Sequence, residues 1–363
     1  MPFPRPPPRP DASPNMFPFP GNLAPCALRS PPGATAPRRP RPAPDSGAAL
    51  ILALAAVVTA AGLLLLLQAR ALNRSAQTNA MLEAEHLRIA ASETARAALR
   101  ILAADADLDV DHPGEDWAQI LECDWTGDIH AWAQIDDAGA HVNLNNLAAD
   151  KQPARDFKTI VRNAFTCCGN FESDAPVEAL ADYEDADTEG TYEAAFYRHA
   201  EAPLAPPNRP LWAPAELLDV YGFSAALFAP PKVEARRTRD ELFGGDFRLA
   251  TTLVPGACEE PVPVNVNTAT REALLAVAGV EHAEIVRSAM ALRSLRPFTS
   301  LAMLGATRPE LAEALDGALD VKSAYFRVRA SAERNGRRRT VVAWARRDTD
   351  GIVHLLQWLE GES

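Results

Sequence analysis

The sequence predicts an α+β protein, in which a long N-terminal helix packs on an antiparallel sheet and a large α-helical domain is inserted into that sheet. Three observations predict it. Twenty residues from Ala48 to Leu67 carry no charge, and the helical pattern runs on without Pro or Gly from Gln68 to Asp105. Alternating, strand-like patterns occur near residue 130 and then only after residue 323. The stretch between them reads as helical, and neighbouring elements usually pair locally, so this stretch is an insertion whose two ends lie close together.

Composition bounds the function. The 363 residues can hold roughly two domains, and the 47% hydrophobic content supplies a core. Net charge is -12 and unevenly spread: residues 101–200 hold 22 Asp/Glu against 5 Lys/Arg, a balance of -17. Such a body repels phosphate backbones, whose neutralisation is the main source of nucleic-acid affinity.

Residues 1–47 form a Pro- and Arg-rich leader with no periodicity, expected to be disordered and removed. From Ala48 to Leu67 nothing is more polar than Thr59. Twenty helical residues span about 30 Å, the thickness of a bilayer core, and a buried soluble helix seldom lacks a polar face over five turns. Arg38, Arg39 and Arg41 precede this segment, while Arg70 and Arg74 follow it. That bias puts the N-terminus in the cytoplasm and the body outside. Past Leu67, the apolar positions Leu72, Met81, Leu87, Ala91, Ala95, Leu99 and Leu102 recur at mostly three- and four-residue intervals. The spacing predicts one continuous helix of about fifty residues ending near residue 104, half in lipid and half amphipathic.

Residues 105–144 begin the sheet. Ile129, Ala131, Ala133 and Ile135 alternate, Asp136 to Gly139 form a turn, and Val142 and Leu144 follow as a hairpin partner or second short strand. Residues 145–322 form the inserted domain. Pro153 and Pro214 open helices within it, and weaker helical patterns lie near Arg239–Leu242 and Ala312–Leu315. Residues 323–363 return to the sheet with three strands separated by Asn335-Gly336 and Asp350-Gly351, both strong hairpin signals.

A basic leader, Gly47 just before an apolar run and a helix continuing into a soluble body resemble the type IV pilin class. In that class a prepilin peptidase cuts after the glycine, here between Gly47 and Ala48, and methylates the new amine. Beside Ser46 and Asp45, Gly47 also reads as an ordinary helix cap. Pilins carry Glu at the fifth mature position, paired with a neighbour's terminal amine, and this chain has Leu52 there. A carboxylate in lipid is costly unless paired, so its loss fits a subunit at a filament's end.

The acidic turn into "HVNLNNL", then "DYEDADTEG", "PPNRPLWAPAELLDVYG", "VNVNTATREALLAV", "RPFTSLAML" and "SAYFRVRASA" up to "LLQWLE" resemble, in order and spacing, the type II secretion minor pseudopilin family called general secretion pathway protein K. The resemblance runs from Gly47 to about Glu360. It implies a type IV pilin-like fold with a helical insert, single-pass anchoring in a bacterial inner membrane with a periplasmic body, and a place at the pseudopilus tip, helping to initiate and cap the filament. The implied partners are the other minor pseudopilins of the tip complex, the prepilin peptidase, the inner-membrane assembly platform and the secreted substrate.

One segment, residues 262–304, has the look of a helix-hairpin-helix, a unit that often grips DNA. Asn267 or Thr268 would cap its first helix, Glu272 favours the positive end, Leu274, Leu275 and Val277 pack inward, and Gly279 turns the chain. Ile285, Ala289 and Leu292 form the second stripe. Glu281 and Glu284 sit near the proposed phosphate, while Arg287, Arg293 and Arg296 lie on a different face. The rival function is therefore a membrane-anchored DNA receptor of the DNA-uptake type, which the charge opposes.

Cys123, Cys167, Cys168 and Cys258 fall in the exported body, an even number that permits two disulfides; free buried thiols are the other reading. Adjacent Cys167 and Cys168 would each pair with Cys123 or Cys258. Asp182, Glu184, Asp185, Asp187 and Glu189 crowd eight positions, and such a cluster repels itself unless it is solvated or neutralised by a hard cation. The spacing is not that of an EF-hand; the family resemblance implies calcium in the insert. No nucleophile, zinc or phosphate-loop motif appears, so no enzyme activity is expected.

Overall fold

The computed structural model describes residues 46–149, 156–170, 172–199, 205–228, 246–258, 260–309 and 317–362. The leader up to residue 45 and the expected helices near Arg239–Leu242 and Ala312–Leu315 lie outside the described residues. The chain divides into two compact units, residues 1–70 and 71–363. In the first, helix α1 (Ser46–Ala103) begins, and its apolar run is exposed and long enough to cross a membrane.

In the second unit the remainder of α1 lies on a five-stranded antiparallel sheet. Its strands are β1 (Leu121–Trp125), β2 (Ile129–Asp137), β7 (Tyr325–Arg334), β8 (Arg337–Arg347) and β9 (Val353–Glu362), in that spatial order. The face toward the helix is made of Ile129, Ala131, Ala133 and Ile135 from β2, with Val328, Ala330 and Ala332 from β7. Opposite them stand Leu87, Ala90, Ala91, Ala95, Ala98 and Leu102. Alanine against alanine lets helix and sheet approach closely, which is why a stripe poor in large side chains still makes a core. The expected stripe is too long. Leu72 and Met81 are exposed, because the sheet ends near Glu83, where the β7–β8 turn reaches the helix through Arg337 (3.0 Å) and Asn335 (3.3 Å).

The Asn335-Gly336 turn has both residues at positive φ (52° and 75°), as a two-residue hairpin with matched twist requires. At the edge of the sheet, strand β1 was not expected. It closes on β2 through Thr126, Gly127 and Asp128, the last two also at positive φ. The predicted strand near Val142 exists only as β3 (Val142–Asn143), and it does not join the sheet. It pairs in parallel with β4 (Thr251–Thr252), because β2 is already flanked by β1 and β7.

The insert leaves after Asp137 and returns at Tyr325, and Asp137 faces Phe326 in register, so its two ends adjoin. Its core gathers α2 (Phe157–Cys167), α3 (Asp174–Glu184), α4 (Ala194–His199), α5 (Phe247–Ala250), α6 (Arg271–Ala278), α7 (Ala283–Leu295) and α8 (Leu301–Thr307). The parallel pair β5 (Val264–Asn265) and β6 (Leu319–Asp320) closes it. Phe165, Phe223 and Phe247 pack edge to face or tilted at its centre.

Buried asparagines replace missing backbone pairing in the loops. Asn145 donates to the carbonyls of Leu211, Val254 and Gly256 and accepts from the Leu211 N–H. Asn146 does the same for both polar atoms of the Val262 backbone. These side chains satisfy buried peptide groups that no strand partner reaches.

At the junction of insert and sheet, Asn265 donates to the Asp111 carbonyl, Asp137 and Ser323. Arg347, 2% exposed, pairs with both Asp105 and Asp111. Burial raises the Asp111 carboxyl to about 7, against the pull of Arg347. Asp105, Asp111 and Glu115 come close enough to hold a cation, but the guanidinium already answers two of them. Removing it in Arg347→Ala strands two buried carboxylates and is expected to cost about 3–5 kcal/mol, read by equilibrium denaturation.

Candidate functional site

The acidic run begins on the last turn of α3 and continues into the loop toward α4. The geometry divides its members. Asp182 is buried, and its Oδ2 accepts the Tyr192 N–H at 2.8 Å. Gly190 lies against the same carboxylate, with no room for a Cβ. Glu184 turns the opposite way, toward the backbone of Ala148; it is fully buried, and burial holds its carboxyl well above the ordinary range. Neither Glu184 oxygen closes a hydrogen bond among the described residues, and burial there favours the neutral carboxyl. Glu189 is exposed, and only its N–H reaches the run, donating to Asp187 at 2.7 Å.

What does converge is Asp185, Asp187 and Glu193. One carboxylate oxygen from each lies within 4.8 Å of the others. Burial and mutual repulsion, with Asp182 contributing, raise the carboxyls of Asp185 and Glu193. Asp185 Oδ1 and Glu193 Oε1 are buried and find no donor among the described residues. Lys158 pulls the Asp185 carboxyl down only weakly, and it is bound to Glu178 at 2.6 Å. Orphaned, acceptor-only oxygens gathered on a loop are the donor set a hard divalent cation takes. The residues present therefore fit calcium, with Glu193 in place of the expected Glu184 and Glu189.

Cys123, Cys167, Cys168 and Cys258 are unbridged in the structure. Cys123 sits on β1 opposite Ala131, in the sheet. Cys167 is sealed in the core of the insert, where burial pushes its thiol up to about 12. Cys258 packs beside Val254 and Tyr325 and takes a hydrogen bond from Asn143 at 3.7 Å.

The hairpin is built from α6 and α7, joined by a short turn at Gly279 (φ 95°). Its helix cap is Thr270, whose hydroxyl accepts the Ala273 N–H at 3.0 Å, rather than Asn267 or Thr268. Asn267 instead holds Phe298 by both its polar atoms, and Thr268 donates to Asp137. Leu274, Leu275, Val277 and Ala289 are buried as expected, joined by Val286, while Ile285 and Leu292 are half-buried against the core.

The turn offers little to a phosphate. The Gly279 N–H is spent on the Leu275 carbonyl at 2.7 Å, and the Glu281 carboxylate lies against Gly279. Arg287 is paired with Glu284 at 2.8 Å, and Arg293 turns inward onto the carbonyls of Val266 and Ala269. The hairpin packs the insert.

Residues 140–230, which contain the acidic run, match the family model for type II secretion system (T2SS), protein K. No curated protein sequence matches the chain significantly. Among solved structures, a chain of the GspK-GspI-GspJ complex from the enterotoxigenic Escherichia coli type 2 secretion system is similar at 19% identity, with a TM-score of 0.60. The similarity covers 79% of this chain and 100% of that one. Residues 140–230 thus resemble a type II secretion system protein K domain, set into a fold shared with a chain of the GspK-GspI-GspJ complex.

Proposed function

We propose that the protein is a minor pseudopilin at the tip of the type II secretion pseudopilus, where it helps initiate the filament and then caps it. One observation carries this reading: the insert that contains the protein K match interrupts the sheet between adjacent strands β2 and β7, a bulk that would obstruct a subunit added above it. Leu52 agrees with it, since the apolar run then holds no carboxylate for a subunit above to engage. Anchoring is by the apolar part of α1 in the inner membrane, with a cytoplasmic N-terminus, a periplasmic body, and processing by prepilin peptidase between Gly47 and Ala48. The role is structural, and nothing in it requires catalysis.

Partners of the GspI and GspJ kind, the assembly platform and the secreted substrate follow from that position. Asp185, Asp187 and Glu193, with Asp182 close by, would hold calcium and fasten the loop between α3 and α4; the ion supplies charge neutralisation, not chemistry. The test is co-purification. The chain is expected to bring down the GspI- and GspJ-type pseudopilins of its own system and to leave duplex DNA unshifted at moderate salt. A DNA shift without pseudopilin capture would transfer the protein to the DNA-uptake reading.

A further inference from the structure

A cleft of about 510 Å³ opens between the segment after α1 and the end of α7, with His112, Pro113, Thr268, Arg293, Leu295 and Pro297 on its walls. Arg293 is half-buried there. Its Nη1 donates to the Val266 carbonyl at 2.6 Å and its Nη2 to the Ala269 carbonyl at 2.7 Å. A guanidinium carries five N–H donors, so most of its capacity remains after these two bonds. Arg162, Arg209 and Arg287 of the insert meet the carboxylates of Glu178, Glu216 and Glu284, whereas Arg198 and Arg308 bond only carbonyl or hydroxyl oxygens among the described residues. Arg293 meets no carboxylate among the described residues, and desolvation alone acts on it. A half-buried cation with no counter-ion is costly to keep in that state.

The second donor is His112. Its Nδ1 accepts the Gly114 N–H at 3.0 Å, so the proton of the neutral ring sits on Nε2. The remaining polar groups are already committed. Thr268 donates to Asp137, and the Asn267 amide is held by Phe298 and Val321. The cleft therefore presents one positive charge and spare donors. Pro113, Pro297 and Leu295 add apolar surface, and Leu295 is 85% exposed. One charge in a chain that sums to -12 suits a monovalent anion better than a phosphate dianion.

We propose that this cleft binds a carboxylate carried on a branched apolar group, the carboxylate on Arg293 and His112 and the apolar group against Leu295 and the two prolines. A polypeptide C-terminus and a free organic acid share that chemistry. The inference does not depend on the secretion role.

Calorimetry on the full chain in a non-ionic detergent, with N-acetyl-leucine as probe, tests it. Saturable binding at one site is expected, with N-acetyl-leucinamide at least about tenfold weaker for loss of the charge-assisted contact. Leu295→Glu puts a second carboxylate at the mouth and removes the apolar contact without touching the core, and should weaken binding at least about tenfold at unchanged Tm. The probe 4-methylpentanoate separates the sources: a clear deficit against N-acetyl-leucine assigns a peptide terminus, and parity assigns a free acid. Equal binding of acid and amide, tighter binding of inorganic phosphate, indifference to Leu295→Glu, or no heat with any probe would each overturn the proposal.

Discussion

Gly47→Leu is expected to leave the protein at precursor length in cells that carry a prepilin peptidase, while the wild-type chain is shortened to begin at a methylated Ala48. The substitution separates recognition from folding. A Cβ at Gly47 meets nothing within 4 Å, and the residue lies in the first turn of α1. Leucine is also the better helix former, so the helix gains slightly. The first turn has no intrahelical partners for its N–H groups and opens readily, which lets a protease reach the 47–48 bond. Any block must then come from the missing glycine and not from a damaged fold. Gel mobility and the mass of the N-terminal peptide decide it. A mature-length Gly47→Leu product would remove peptidase processing from the account and leave Gly47 as an ordinary helix start.

What the sequence made legible was set by local chemistry. The three C-terminal strands follow from alternation punctuated by Asn335-Gly336 and Asp350-Gly351, and both turns are where the glycines put them. Strand β1 carries its own signal, since Leu121, Cys123 and Trp125 alternate with the exposed Glu122 and Asp124 and Gly127-Asp128 follows as a hairpin turn. No periodicity reveals that Asn145 reaches Leu211 and Val254, since those bonds join residues far apart in sequence. The acidic run failed differently. On a helix successive side chains point about 100° apart, so Asp182 and Glu184 at the end of α3 face different surroundings, and Glu184 goes into the core. Beyond the helix the loop doubles back at Gly190 and brings in Glu193, three residues past the stretch that composition singled out.

Calcium is expected to raise the Tm of the protein, and Glu193→Gln and Asp187→Asn are each expected to abolish most of that rise. At a hundredfold excess over its Kd a ligand adds about 2.7 kcal/mol of stability, so the effect is large on the scale of a folded domain. The same substitutions should leave the calcium-free protein as stable or more so, because each removes one member of a mutually repelling group. Glu189→Gln is the control, as Glu189 stands outside the group and should change neither quantity. The pH dependence carries an independent sign. Asp185, Glu193, Glu184, Asp137 and Asp111 all have carboxyls raised by burial. A raised carboxyl binds its proton more tightly when folded, so its contribution is complete below the unfolded value of about 4 and is lost as pH climbs through the folded one. For Asp111 that window closes at about 7. The calcium-free protein should therefore lose stability from pH 5 to pH 8. Calcium needs the deprotonated carboxylates, so its affinity runs the other way, and the calcium-induced rise in Tm should be larger at pH 8 than at pH 5.5. A solvated acidic loop with no cation would show the first trend without the second, and a Tm indifferent to calcium at both pH values would dismiss the metal centre.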